Sequence, residues 1–378
     1  MISVQPPILG EFAVSEASWC SSPSIGSMLG SRIAHDEVRF AAGGEAPRSR
    51  SEREDLEGAS LAAHATRSAG AGTRADAEEP DPFRLCFERD LDRIHHSRPF
   101  RRLAGKCQVF IAPDDDHIRT RLTHAIEVGQ VAVSIARPLR LNVSLVEAAA
   151  IGHDCGHGPG GHASEGALSP FVDGGYHHAV YGADVVLAPL NLCAETLDAI
   201  RNHSWNRATP ATPEGEVVAW ADRIAYVCHD FEDAVNAGVV SPDDLPSEVR
   251  EIIGSDRRSQ LHRLITSITH ASADAGIVIM GAAEASALEA FRQFNFERIY
   301  LRPESADQAE RVARVITSLT QYYSDHPDQI SDGMIRDADT DPVATAVRYV
   351  SGMTDRYLLR VASQLLGWDE SKLPTALI

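Results

Sequence analysis

From residue 81 onward, apolar side chains recur at spacings of three and four. Phe83, Phe87, Leu91 and Ile94 fall on one face of a single helix. The same period runs through Leu122, Ile126 and Val133, until Pro138 is expected to end or bend that helix. Ser144 reads as an N-cap before the Ala-rich run LVEAAAIGHD, which leads into a Gly-dense turn. Further amphipathic stretches predict helices over residues 176–187, 195–202, 214–237, 257–273, 284–296, 306–325 and 341–366. Alternating β-branched runs are nearly absent. The pattern predicts an all-α fold.

The first eighty residues break this pattern. Residues 41–80 are mostly Ala, Gly, Ser, Arg and Glu, with scarcely a large apolar side chain to offset the entropy of ordering. The reading is a flexible tail over 1–80, with a transient helix near 56–65. Phe12, Trp19 and Phe40 are its candidate docking anchors. Residues 81–378 are then the folded domain, with the chemistry concentrated in residues 117–237 and a further helical part over 238–378.

Charge and cysteine content narrow the class. The 378 residues carry 35 Lys and Arg against 54 Asp and Glu, a formal charge of −19. That field repels nucleic acid and anionic membranes, so neither is expected as the main partner, while a local cationic pocket for a small anion stays open. No stretch approaches the roughly 18 apolar residues of a membrane span, and the opening residues lack the pattern of a secretory signal. The six cysteines, Cys20, Cys86, Cys107, Cys155, Cys193 and Cys228, form no CxxC pair and read as reduced thiols. These features predict a soluble cytoplasmic protein.

The histidines carry the chemical signal. Of 16, ten fall between His95 and His203. His124 lies inside one predicted helix, His153 and Asp154 end the next, and Asp222 sits on a later amphipathic one. Two imidazoles and two carboxylates make a mixed set suited to a divalent ion such as Mn, Fe, Co, Ni or Zn, with Mg also open. Each residue alone reads more simply as a hydrogen-bonded core residue. Their joint order is what points to a metal.

That array resembles the metal site of the HD-domain phosphohydrolases, and within them the deoxynucleoside triphosphate triphosphohydrolases, the bacterial dGTPase-like proteins. The likeness rests on five collinear stretches: RDLDRIHHSRPFRRLAGKCQVF, IRTRLTHAIEVGQVA, EAAAIGHDCGHGPGGHASEGAL, ADRIAYVCHDFEDAVNAGVV and YVSGMTDRY. It implies an HD-domain helical bundle with additional C-terminal helices. It also implies that water attacks the α-phosphorus of a dNTP, releasing deoxynucleoside and tripolyphosphate. By the same resemblance His124, His153, Asp154 and Asp222 hold the metal, with Mn or Mg the favoured ions. His162 and Glu165 match a catalytic His-acid pair, and His157 and His178 match further active-site histidines. Arg121, Gln108, Arg223, Tyr226 and Asp230 match positions that contact phosphate or sugar. The family implies a homo-oligomer, tetramer or hexamer, and leaves room for a dNTP effector.

Several positions depart from the family pattern. Gly160 stands where an aromatic residue is frequent, which predicts a more mobile turn. Ala179 replaces a frequent Asn, and Arg223 a frequent acidic residue. The basic run Arg89, Arg93, Arg98, Arg101, Arg102 and Lys106 reads equally as a solvated helix face or as phosphate or subunit contact. His95, His96, His117, His177 and His229 read as structural, and His203 as a residue that approaches the site. Two alternatives stay open: another HD-type nucleotide phosphohydrolase, and a nucleotide-sensing regulatory protein with slow turnover.

Overall fold

Helices form almost wherever the three- and four-residue spacing predicts them. The computed structural model describes residues 26–28, 31–33, 46–111, 116–330, 341–369 and 373–374. It comprises two units, Met1–Arg48 and Ser49–Ile378. In the first, strands β1 (Gly26–Met28) and β2 (Ser31–Ile33) pair antiparallel, Gly26 opposite Ile33. Phe12, Trp19 and Phe40 lie outside the described residues.

The second unit is all-α. Its first half runs α1 (Arg50–Ser60), α2 (Cys86–His95), α3 (Arg98–Arg102), α4 (Arg121–Ala136), α5 (Val143–Gly152), α6 (Ala163–Leu168), α7 (His178–Tyr181) and α8 (Ala194–Asn202). Then come α9 (Pro213–Asn236), α10 (Ser247–Ile252), α11 (Arg257–Ala275), α12 (Ala282–Asn295), α13 (Pro303–Asp325), α14 (Pro342–Ser351) and α15 (Asp355–Leu366). Among the described residues no helix is long and apolar enough to cross a membrane.

Two apolar cores organise these helices. The larger gathers Val128, Val131 and Ile135 of α4, Val146 of α5, Ile200 of α8, Ile224 of α9 and Phe291 of α12. The smaller joins Leu168 of α6 to Val312, Ile316 and Leu319 of α13, Val350 of α14 and Leu358 of α15. Helix α4 shows how sequence positions the site. Thr120 caps it by accepting from the Thr123 amide, and an apolar stripe every three to four residues buries one face against α5 and α9. His124 shares that buried face, so the packing carries an imidazole into the interior. The helix ends at Ala136, two residues before Pro138.

Four expectations need correction. Residues 49–80 belong to the body. Ser49 opens α1 with a reciprocal cap to Glu52, and the polar groups after it are buried in pairs. Thr66 donates to Glu214 from its amide (3.0 Å) and hydroxyl (2.7 Å), and Arg74 Nη1 pairs with Asp90 Oδ1 at 2.6 Å with both side chains buried. Composition weighs apolar area and misses such pairing. The N-cap of α5 is Asn142, whose side chain accepts from the Leu145 amide at 3.2 Å, and Ser144 lies inside the helix.

The predicted helix over 176–187 is only α7 followed by a π-helical turn, Gly182–Val186, because Gly156 packs its backbone directly on this segment. A Cβ on Gly156 would lie 2.0 Å from the His178 carbonyl oxygen and 2.5 Å from the Gly182 nitrogen. The predicted helix over 341–366 is two helices, separated at Gly352–Thr354.

Candidate metal centre and hydrolytic site

Each metal-ligand candidate stands where helix geometry aims it inward. His153 caps the C-terminus of α5, and its Nδ1 lies 2.6 Å from the Ala150 carbonyl oxygen. A carbonyl only accepts, so Nδ1 carries the hydrogen and Nε2 presents a lone pair. That Nε2 is buried without a hydrogen-bond partner, 3.4 Å from Asp154 Oδ1 and 3.6 Å from Asp222 Oδ1. His124 Nε2 lies 3.1 Å from Asp222 Oδ1, and one ligand atom each from His124, His153 and Asp154 lie within 4.8 Å of one another. An orphaned imidazole nitrogen facing two carboxylates fits a divalent cation.

Asp154 is the vertex where the second group begins. Its Oδ2 accepts from Arg121 Nη1 at 2.7 Å, and its Oδ1 lies 3.2 Å from His157 Nε2 and 3.9 Å from His178 Nε2. Burial alone would raise this carboxyl, but His153, Arg121 and His157 around it hold it well below the usual range. For Asp222, burial is likewise outweighed by the His124 hydrogen bond and by His153, so it too is held ionised. Burial pushes the His157 and His178 imidazoles down, and His203 to about 3. Neutral rings beside ionised carboxylates are the protonation states a metal requires.

Glu165 sits in the first turn of α6 and holds two histidines. Oε1 takes the His178 amide (2.9 Å) and Nδ1 (2.5 Å), and Oε2 lies 3.5 Å from His162 Nδ1. Burial works against ionisation of Glu165, but hydrogen bonds from His162 and His178 prevail and lower it. The His162 side chain is 73% exposed, whereas those of His157 and His178 are buried. Thus the structure gathers His157, His162, Glu165 and His178 into one group touching the metal-ligand candidates through Asp154.

The positions expected to contact substrate divide. Arg121 is buried against Asp154, with Gly161 leaving it room: a Cβ there would stand 2.7 Å from Arg121 Nη2. The Gln108 Oε1 atom is buried without a partner. On α9, Arg223 stacks 3.4 Å over the Trp205 ring and pairs with Glu289 at 3.6 Å. The Tyr226 hydroxyl accepts from Arg292 Nε at 3.2 Å, and Asp230 Oδ2 accepts from the Tyr300 hydroxyl at 2.6 Å. Burial raises Asp230 to about 8. These three side chains face α12 and the π-helical turn after it.

Two residues given no specific role in the sequence, and a third expected only to approach the site, join these groups. Lys106, read within a basic run, is buried and donates to the carbonyl oxygens of His157 and, at 2.9 Å, Ser351. Asp355, in the GMTDRY stretch, accepts from the Cys107 amide through Oδ2 and from the Gly160 amide through Oδ1, both at 2.9 Å. His203, expected to approach the site, lies in it, its Nε2 3.2 Å from His178 Nε2. Only the co-occurrence of the motifs hinted at these links.

Gly160 also corrects the expectation of a looser turn. It is buried at φ +72°, and a Cβ would lie 2.8 Å from both methyl groups of Val312. Val312 fills the space, and the Asp355 bond ties the backbone down.

The chain is similar to known proteins over most of its length. The HD domain pattern matches residues 121–227 and the phosphohydrolase-associated domain pattern residues 278–364. A deoxyguanosinetriphosphate triphosphohydrolase-like protein of Caldanaerobacter subterraneus subsp. tengcongensis is 40% identical over 313 residues, covering 81% of this chain and 92% of that one. One from Clostridium perfringens is 38% identical over 299 residues, covering 75% and 87%. One from Desulfatibacillum aliphaticivorans is 35% identical over 324 residues, covering 79% and 92%.

Proposed function

This chain belongs to the HD-domain, deoxyguanosinetriphosphate triphosphohydrolase-like family, and from that membership we propose that it hydrolyses a deoxynucleoside triphosphate at the α-phosphate. Water adds to the α-phosphorus, the bond to the 5′-oxygen breaks, and deoxynucleoside and tripolyphosphate leave. The observation that carries this reading is the convergence of His124, His153, Asp154 and Asp222 beside the His162–Glu165 pair.

A divalent ion held by those four residues, Mn or Mg in assay, would lower the pKa of bound water and polarise a phosphoryl oxygen. The remaining work falls to side chains of this chain. Arg121 keeps Asp154 ionised and places a fixed positive charge beside it, where phosphate negative charge must be met. His162 is the exposed member of the histidine group and therefore the one a substrate reaches; with Glu165 behind it, it supplies the proton that the leaving 5′-oxygen needs. His157 and His178 line the buried side of the same group. Gln108, Arg223, Tyr226 and Asp230 bind sugar and phosphate, Arg223 held in place by Trp205. In this reading the protein works in the cytoplasm as a homo-oligomer.

The deciding experiment is a product assay. Protein stripped of metal and resupplied with Mn or Mg receives each dNTP singly and then all as a mixture. Tripolyphosphate with deoxynucleoside is the expected result, and activity confined to the mixture would identify an effector. Pyrophosphate or orthophosphate as the product would move the chain to another HD reaction, and no product would favour a nucleotide sensor.

A further inference from the structure

Away from the histidine cluster, two cysteines share one buried contact. Cys86 is the first residue of α2, and Cys193 is the N-cap of α8. Both are buried and both carry free thiols. They pack with Phe87 and Leu145 in a small apolar cluster separate from the two main cores. A Cβ added to Gly72 would lie 2.3 Å from Cys193 Sγ and 3.5 Å from Cys86 Sγ, so the two sulfurs meet beneath that glycine. The chain that crosses them, Ala69, Gly70, Ala71 and Gly72, carries no side chain larger than a methyl group, and Ala69 is exposed. Local opening of this thin cover would admit a small oxidant to both thiols.

The two thiols are not equivalent. The Cys193 thiol and the Ala69 amide donate toward Cys86 and hold its thiol below the ordinary value, against the effect of burial. Its place in the first turn of α2 acts in the same direction, since a helix N-terminus favours an anion. Cys193 is pushed up by its hydrogen bond to Cys86 and by burial. One sulfur is prepared to attack, and its neighbour keeps a proton beside it. Attacking and resolving thiols differ in this way.

We propose that Cys86 and Cys193 are an oxidant-responsive pair, which peroxide converts to a disulfide fastening α2 to α8 and which a dithiol restores. The Cys86 sulfur attacks one oxygen of hydrogen peroxide; the O–O bond breaks, leaving a sulfenic acid and hydroxide. The Cys193 sulfur then attacks the sulfenic sulfur, the S–O bond breaks and the S–S bond forms. The two thiol protons leave on the two displaced oxygens as water, so the sulfurs lose the two electrons that peroxide gains. Both helices back the histidine cluster: α2 packs on α5, which His153 caps, and α8 is capped by His203. The pair does not depend on the reaction proposed above.

The test uses the full chain, reduced, freed of reductant and treated with hydrogen peroxide, with and without later dithiothreitol. The protein is then unfolded, alkylated and digested without reduction for mass spectrometry. Alkylatable thiols should fall from six to four per chain. Peptides joined through Cys86 and Cys193 should appear, and dithiothreitol should separate them. The melting temperature should rise on oxidation and return on reduction. Cys193→Ser should stop at the sulfenic acid of Cys86, trapped with dimedone, and Cys86→Ser should leave Cys193 unoxidised. Absence of the joined peptides at excess peroxide overturns the proposal. So does a disulfide that forms only in denaturant, a sulfenic acid on Cys193 in place of Cys86, or an unmoved melting temperature. Should either variant not fold, the joined peptides of the unaltered protein decide alone.

Discussion

Asp154 and His162 serve the site in separable ways. Asp154 is the buried vertex between a cationic arginine and three imidazoles, so Asp154→Ala should abolish metal binding and turnover together. His162 is exposed and touches the site mainly through Glu165 and the faces of His157 and His178. His162→Ala should keep the metal, measured by elemental analysis, while kcat falls about 10²–10⁴-fold. Asp230 offers a pH test. Its folded-state value of about 8 lies above the ordinary value of an unfolded carboxyl, so the protonated form stabilises the fold. That contribution is complete below about pH 4 and is lost as pH rises through about 8. Thermal melts from pH 5 to 9 should show the decline, and Asp230→Asn should flatten it. The sequence made the four metal-ligand candidates legible because each sits at a fixed place on a helix. His203 was legible only as a residue near the site, and the contacts of Lys106 were not legible, since the groups it meets are brought together only by packing.

The C-terminal helix α15 contributes to the site through its first residue. Asp355 holds the amides of Cys107 and Gly160, and so fixes the segment bearing Gln108 and the turn bearing His162. The carbonyl of Lys106 takes the Arg121 amide at 3.0 Å, which extends the chain of bonds to the residue paired with Asp154. Asp355→Asn replaces one accepting oxygen by a donor facing an amide, leaving one amide unpaired at a cost of about 1–3 kcal/mol. Urea melts should show that loss, and kcat should fall while metal content stays unchanged. The helices themselves were largely legible, since burial of one face imposes its period on the sequence. The breaks at residues 182 and 352 were not. A π-helical turn answers to the close approach of Gly156, and the break before α15 frees an aspartate to reach two loops, neither of which leaves a periodic trace.

For the whole molecule, the boundary between Arg48 and Ser49 has a direct test. A chain beginning at Ser49 should keep its melting temperature. One beginning at residue 81 loses α1, the Thr66–Glu214 bonds and the partner of buried Asp90, for which the last alone costs about 3–5 kcal/mol. Composition hid this boundary because Ala- and Gly-rich segments bury little apolar area even when well packed. Gly72 is one such case, with Cys86 and Cys193 against its Cα. The two bonds of Asp355 reach back 248 and 195 residues along the chain. During synthesis, every metal-ligand candidate leaves the ribosome well before the residue that fixes the loops around them. An unfinished polypeptide therefore already carries those candidates while the turn bearing His162 is still unsecured, and the arrangement is complete only once Asp355 has been made. The order of translation itself thus separates the making of the metal-ligand set from the fixing of the loops around it.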